Sequence, residues 1–200
     1  MSEQERWNTR FGGPGYTFGK EPNAFLKAHA HSLGGRRTAL SVADGEGRNG
    51  VWLAEQGLDV LAIDFSAVAL EKSRALAAER GVRLRTELAD IVTWPWPAGA
   101  FDVIVAIFIF VTPAERAGYF ANLKKALKPG GLLLMQGYRP EQLNYRTGGP
   151  PDAERLYTRS LLEAAFADMA QCDIREHDSV IHEGDGHVGM SALIDLVAVK

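Results

Sequence analysis

Short β-rich apolar runs alternate along the chain with longer stretches rich in Ala, Leu, Glu, Lys and Arg. Apolar runs bounded by turn formers predict buried strands, and the longer stretches predict helices. Strands are expected at Thr38–Val42, Val60–Ile63, Arg83–Leu88, Phe101–Ile107, Leu132–Gln136, Cys172–His177 and Ala192–Val199. Helices are expected at Asn49–Gln56, Ala67–Arg80, Ala114–Leu127 and Thr158–Phe166. Such alternation builds a parallel sheet covered by helices on both faces. The link His182–Gly189 is polar, punctuated by glycine and too short for a parallel crossover, so the last two strands should pair antiparallel. The expected fold is α/β, a doubly wound seven-stranded sheet in three α/β/α layers. Two stretches outside the alternation, Trp7–Pro22 and Tyr138–Pro151, are expected to cover the functional edge of the sheet. With no repeat and no low-complexity linker, residues 1–200 read as one domain, with 1–37 a cap segment and helix and 38–200 the core.

Composition narrows the function classes. The 200 residues are 46% hydrophobic, 9% aromatic and 24% charged, far from the regime in which chains stay disordered. The net charge is −3 and basic residues come only in pairs such as Arg36-Arg37 and Lys124-Lys125, so no stripe exists to neutralise a row of phosphates. Nucleic acid is not the expected partner. The longest apolar run, Val103–Val111, is about half of what a membrane-spanning helix needs, so no membrane is expected. Met1–Arg10 is polar, and the single cysteine, Cys172, forms no intrachain disulfide. The expected location is the cytoplasm, and monomer and homodimer both remain open.

The chemistry starts in Leu40-Ser41-Val42-Ala43-Asp44-Gly45-Glu46-Gly47-Arg48-Asn49-Gly50, where the first strand turns into a helix. Gly45 and Gly47 allow positive φ and close approach of a ligand to the main chain, while free N–H groups at the helix start favour negative charge or lone pairs. Asp64 ends the second strand about twenty residues on, where a carboxylate accepts from both hydroxyls of a ribose. Asp90 follows the third strand, at the edge where an adenine amino group needs an acceptor. Trp94 and Trp96 either flank that adenine or fill the core. Three strand ends thus converge on a nucleoside-sized site.

Two cofactors fit such a site, NAD and S-adenosylmethionine. Asp44 and Glu46 crowd the loop with negative charge, which suits a sulfonium better than a pyrophosphate. The only Tyr-x-x-x-Lys pair of the short-chain dehydrogenase kind, Tyr16 to Lys20, precedes the first strand, where it cannot serve a hydride acceptor.

Several segments together carry a family likeness: Trp7-x-x-Arg10-Phe11, Tyr16-x-x-Gly19-x-x-Pro22-Asn23, Glu46-Gly47-Arg48-Asn49, Ala62-Ile63-Asp64-Phe65-Ser66 and Leu127-Lys128-Pro129-Gly130-Gly131. With them the sequence resembles class I S-adenosylmethionine-dependent methyltransferases over nearly its whole length, and within them the small bacterial enzymes grouped with tellurite-resistance and thiopurine methyltransferases. The resemblance implies a Rossmann-like sheet with an inserted antiparallel last strand and S-adenosyl-L-methionine as cofactor. It also implies a binding set of Trp7, Tyr16, Ala43, Asp44, Gly45, Gly47, Asn49, Asp64, Phe65, Ser66, Asp90, Ile91 and Ala106. In it the glycine loop takes the methionine portion, Asp64 the ribose and Asp90 the adenine, and Trp7 with Tyr16 covers the cofactor. Two departures from the family pattern are Ala43, where a first glycine commonly stands, and Ser41, where an acid often lies in the strand. Alanine accepts only negative φ cheaply.

Methyl transfer is an in-line displacement, so the protein must chiefly align a nucleophile with the methyl carbon. A thiolate or chalcogen oxyanion needs no base, whereas an alcohol or amine does. The candidate bases and orienting groups are Tyr138, His182, Glu183 and His187. The loop His182–His187 has metal-ligating side chains but no fixed spacing that presents them together, and no metal is expected. Strand four is followed by Phe108-Ile109-Phe110, without the Asn/Asp-Pro-Pro-Tyr motif of base and glutamine amino-group methyltransferases. The expected reaction is methyl transfer to a small-molecule acceptor, possibly a thiol, a chalcogen oxyanion or another soft nucleophile. The rivals are an NAD-dependent oxidoreductase and a binding protein without turnover.

Overall fold

The computed structural model describes residues 2–200. The strands are β1 (Thr38–Val42), β2 (Asp59–Asp64), β3 (Arg85–Leu88), β4 (Phe101–Ile107), β5 (Leu127–Tyr138), β6 (Gln171–Glu183) and β7 (His187–Val199), in the sheet order β3-β2-β1-β4-β5-β7-β6. Strands β1 to β5 are parallel, and β7 runs antiparallel between β5 and β6. The α-helices among the described residues are α1 (Glu3–Phe11), α2 (Ala24–Ala28), α3 (Arg48–Glu55), α4 (Ala67–Glu79), α5 (Pro113–Ala126), α6 (Gln142–Tyr145) and α7 (Arg159–Ala165). The sheet is the expected Rossmann-like one with an antiparallel end. None of these helices is long and apolar enough to cross a membrane.

Alternation along the central strands divides the core between the two faces of the sheet. Leu40, Val42, Ile63, Ile104 and Ala106 pack with Phe120 and Leu123 of α5 and with Leu162 and Phe166 at α7. Ala39, Val60, Val103 and Val105 pack with Trp52 and Leu53 of α3 and Phe25 and Leu26 of α2. Full burial of such side chains stabilises by about 1.5–3 kcal/mol each. Helix starts follow local chemistry. Ser66 caps α4 by accepting from the Ala69 N–H, Thr158 caps α7, and α5 opens on Pro113 with a Thr112–Glu115 capping box.

Three segments differ from expectation, the first being β5, which begins at Leu127 and not at Leu132. The terminal hairpin is far longer than predicted, with 13-residue strands joined only through Gly184–Gly186. Its outer strand, β6, lies at the sheet edge and is only half-buried along its length, so polar residues such as Asp178 and Ser179 continue a ladder that apolar patterning does not mark. The amino-terminal stretch begins as a helix, because Ser2 and Glu5 form a capping box ahead of Trp7 and Phe11.

The strand order reverses between β1 and β4, and a crevice therefore opens beyond their carboxyl ends, where ligands bind in sheets of this kind.

Candidate active site

Beyond β1 the main chain turns through three residues of positive φ, Ala43 (45°), Gly45 (61°) and Gly47 (95°), before α3 begins at Arg48. Ala43 takes this left-handed conformation despite its Cβ, at a cost of roughly 1–2 kcal/mol. Gly47 is required on packing grounds as well, since a Cβ there would lie 2.5 Å from Ser73 Oγ and 2.7 Å from Ser73 Cα. The buried Asp44 carboxylate accepts from Ser41 Oγ (2.6 Å) and from the Gly50 N–H (3.0 Å). Burial pushes this carboxyl up to about 6, against those two bonds. Ser41, standing in the place of an acid, thus serves to hold Asp44 against the start of α3.

Glu46 is also spent within the protein. Its side chain is buried, pairs with Lys72 Nζ (2.8 Å) and accepts from the Thr17 N–H (2.7 Å). The crowding of negative charge expected from the sequence is therefore not aimed at the crevice. Its physical correction is the cation supplied by α4, which the loop sequence does not contain.

Asp64 ends β2 and is only 4% exposed. One oxygen accepts from the Gly45 N–H (2.8 Å) and the other from the Ser66 N–H (2.8 Å), which leaves each oxygen a further lone pair. Burial pushes Asp64 up to about 6 in spite of the bonds from Ser66 and Gly45. Helix α1 roofs this point: Gln4 Nε2 donates to the Phe65 carbonyl (2.7 Å), and Ser66 Oγ donates to Asn8 Oδ1 (2.6 Å). The aromatic against the glycine loop is Phe11, whose ring lies 3.4 Å from where a Gly45 Cβ would stand and stacks on Trp7. Tyr16, the expected cover, instead packs over Val51, Leu76 and Ala77 and donates to the Lys72 carbonyl (3.1 Å).

Asp90 is exposed beyond β3, and its carboxylate accepts from the Val92 N–H (2.9 Å). Ile91 is half-buried and its carbonyl accepts from Trp96 Nε1 (2.9 Å). Trp96 is buried and Trp94 packs edge-on against it, so this pair fills the core. Ala106 is fully buried within β4. The Asn49 side chain accepts from the Asn23 N–H (2.9 Å), which ties α3 to the cap of α2.

A second cluster comes from the terminal hairpin. Glu183 ends β6 and His187 begins β7, directly paired across the turn, while the two-residue period of the strand turns His182 outward to solvent. The hairpin tip seats on the amino-terminal segment, where the Gly186 N–H donates to the Thr17 carbonyl (2.9 Å). Glu183 Oε2 accepts from Arg48 Nη2 (2.7 Å) and from His187 Nδ1 (3.3 Å), and Oε1 accepts from Asn23 Nδ2 (2.8 Å). Burial pushes Glu183 up, but the hydrogen bond from His187 and the Arg48 charge outweigh it and hold the carboxyl at about 2. His187 is lowered by burial, with Glu183 opposing, and is neutral near pH 7. Tyr138 closes the cluster from the end of β5, fully buried. Phe108 follows β4 at φ +54°, an outlier for a bulky residue, with its ring 4.7 Å from those of Tyr138 and His187. Strain of this kind costs roughly 1–3 kcal/mol and gathers at functional sites.

The structure thus brings Tyr138, Glu183 and His187 together and leaves His182 outside. Sequence reasoning missed Arg48, Asn23 and Phe108 as members. Arg48 and Asn23 stood inside quoted motifs, but nothing local marks Phe108. Among the described residues no three His, Cys, Asp or Glu side chains converge on a point that would hold a metal ion.

Residues 39–131 match the family model of a methyltransferase domain. The demethylmenaquinone methyltransferase of Thermus thermophilus is 33% identical over 103 residues, which cover 50% of this chain and 47% of that protein. Over its first four parallel strands the chain is thus similar to methyltransferases. The chain spans about half the length of the curated relatives it matches. Two solved structures share the fold of this chain. TehB from Haemophilus influenzae has a TM-score of 0.73 at 16% identity, covering 98% of this chain and 66% of that one. The N-methyltransferase NodS from Bradyrhizobium japonicum, in complex with S-adenosyl-l-homocysteine, has a TM-score of 0.73 at 14% identity, covering 98% and 97%.

Proposed function

We propose that this protein is a methyltransferase, which binds S-adenosylmethionine in the crevice beyond β1 and β2 and transfers its methyl group to a small-molecule acceptor held against the terminal hairpin. The observation that carries the reading is Asp64, buried beside Gly45, with a spare lone pair on each oxygen for a pair of ribose hydroxyls. When bound, the cofactor supplies an electrophilic methyl group on a sulfonium. Gly45 and Gly47, with Ala43, shape the main chain toward the methionine portion. Phe65, Ser66 and Ile91 border the nucleoside, Asp90 accepts from the adenine, and Trp7 and Phe11 cover it from α1. Asp44, Asn49 and Tyr16, each bonded within the protein, position the loop, and buried Ala106 backs the crevice.

The acceptor reading is narrower than the sequence alone supports. A carboxylate only accepts, so Glu183 fixes the proton of His187 on Nδ1 and leaves the lone pair on Nε2. That arrangement suits an acceptor with a proton to lose over a chalcogen oxyanion, which needs no base. Calorimetric titration with S-adenosylhomocysteine and with NADH tests the cofactor, and labelled donor incubated with soluble metabolites tests the transfer. The reading predicts binding of the former only and label in a small product; binding of NADH alone overturns it.

A further inference from the structure

Strand β6 is an open edge. It stands last in the sheet order and pairs with β7 alone, in unbroken register from Gln171 opposite Val199 to Glu183 opposite His187. The direction of its free main-chain groups follows from β7. Ala192, opposite Asp178, gives its carbonyl to the Arg139 N–H (2.9 Å) and its N–H to Gln142 Oε1 (2.8 Å), both away from β6. Asp178 is therefore a non-hydrogen-bonded partner of β7. By the alternation of an antiparallel ladder, Glu176, Asp178, Val180 and His182 direct their N–H and C=O groups off the sheet. The same alternation turns the Ile174 carbonyl outward, where it accepts from Arg159 Nη2 (2.9 Å). All four of the other residues are exposed.

Such an edge is a template for another strand unless a bulge, a proline or charge blunts it. Between Ser179 and His182 there is none of these: the register does not shift, and no Asp, Glu, Lys, Arg or Pro occurs. Val180 is instead the most exposed large apolar side chain among the described residues, at 72%. Met190, its partner on β7, and Val188, opposite His182, are exposed on the same face.

The order of side chains along β6 selects a partner. A two-fold axis through the edge pairs the strand antiparallel with its own copy, so the residue on the axis faces itself. An axis at His177 sets Glu176 against the copy's Asp178, an axis at Asp178 sets that carboxylate against itself, and an axis at Ser179 sets Val180 against Asp178. An axis at Val180 avoids all three. Val180 then faces Val180, Ser179 faces Ile181, and Asp178 faces His182 on either side of the centre. Arg139 and the Tyr145 hydroxyl (2.8 Å) each hold one Asp178 oxygen, which leaves each oxygen a lone pair for an imidazole N–H. On one face the apolar row Met190, Val180, Val180, Met190 crosses the junction, and cross-strand pairs of this kind stabilise a ladder.

We propose that the chain forms a two-fold dimer in which β6 pairs with β6 of a second copy about Val180, joining the two sheets into one. A second copy fits this edge because the register is self-complementary: one strand supplies the apolar centre and both members of each flanking pair. The junction His177–Glu183 is small, so self-association on the order of 100 µM is expected.

Sedimentation equilibrium of the full chain over a concentration series reads the association, and a cysteine reads the register. The mass should rise from monomer toward dimer, and Val180→Lys, which sets two ammonium groups face to face, should weaken the association at least tenfold with an unchanged thermal midpoint, since the side chain is exposed. On the axis, the two Val180 Cα atoms stand about 5.5 Å apart, within disulfide range. Val180→Cys in a Cys172→Ser background should therefore give a disulfide-linked dimer under mild oxidation. Glu176→Cys in the same background should not, because its copies lie about 27 Å apart along the strands. A monomer throughout the series, an association indifferent to Val180→Lys, or Val180→Cys no more readily linked than Glu176→Cys overturns the dimer.

Discussion

Replacing Asp64 by Asn keeps the shape of the side chain and changes what its two ends do. Each carboxylate oxygen accepts one main-chain N–H, from Gly45 or from Ser66, at 2.8 Å. An amide has one oxygen, so either orientation sets an NH2 group against one of these donors. A buried donor left unpaired costs about 1–3 kcal/mol, which is the expected loss of folding stability. The ligand loses more. Bonds to a charged acceptor are worth about 1.5–3 kcal/mol each, and loss of even one weakens binding at least tenfold. Calorimetry with S-adenosylhomocysteine measures the second effect, and urea unfolding measures the first. Proton linkage supplies an independent check. Burial holds the Asp64 carboxyl at about 6, and the ionised form is the better acceptor. Wild-type affinity should therefore rise as pH rises toward about 6 and level off above it, while the Asn variant stays flatter across that window. Binding by Asp64→Asn within twofold of wild type, or a flat wild-type profile between pH 5 and 7, would refute the assignment.

Gly47→Ala should cost about 2–4 kcal/mol by denaturant unfolding, because the new Cβ meets Ser73 main chain at 2.7 Å and φ is 95°; a loss under about 1 kcal/mol would contradict it. Ala43→Gly should act the other way. It relieves roughly 1–2 kcal/mol of left-handed strain against about 0.4–1 kcal/mol of added chain entropy, so the thermal midpoint should hold or rise by a few degrees, and a clear fall would count against the strain. Glu183 makes the protein acid-sensitive. Its folded value of about 2 lies below that of an unfolded Glu, so its stabilisation is present above about pH 4 and lost as pH falls through about 2. The stability gap between wild type and Glu183→Gln should accordingly narrow by about 1–2 kcal/mol between pH 7 and pH 3, and an unchanged gap would show that Glu183 is not held ionised by Arg48 and His187. Asp44 and Asp64 run opposite, being raised to about 6: their contribution falls as pH climbs from about 4 to 6, and it cancels in that comparison.

How much of this was legible in the chain depends on where each residue gets its partner. Strands β1, β2 and β4 are buried on both faces and read as continuous apolar runs, so their ends, and with them Asp64, are visible in sequence. Strand β6 pairs on one side only and keeps polar residues half-exposed, so only its first half was expected. The glycine loop is local and was read correctly as a turn, but the fate of Glu46 was not, because Lys72 lies 26 residues away on another helix. The choice of Phe11 over Tyr16 against Gly45 depends on the angle at which α1 crosses the crevice, which spacing does not encode. Phe108 gives no signal at all: only its φ of +54° separates it from its apolar neighbours.

The glycine loop and the hairpin meet through two consecutive residues. Arg48 is the first residue of α3 and pairs with Glu183 of β6, whereas Asn49 binds Asn23, whose side chain reaches Gln136 of β5 and the same Glu183. The helix that opens at the glycine loop therefore also orients the carboxylate that holds His187. A pair buried to this degree is a weak source of net stability, since the desolvation of both charges offsets most of their attraction. Its value lies in geometry instead. With Glu183 accepting from Arg48, His187 and Asn23 at once, the imidazole cannot turn without breaking its bond to a carboxylate that α3 and the cap of α2 also hold, and the loop and the hairpin are built to one register.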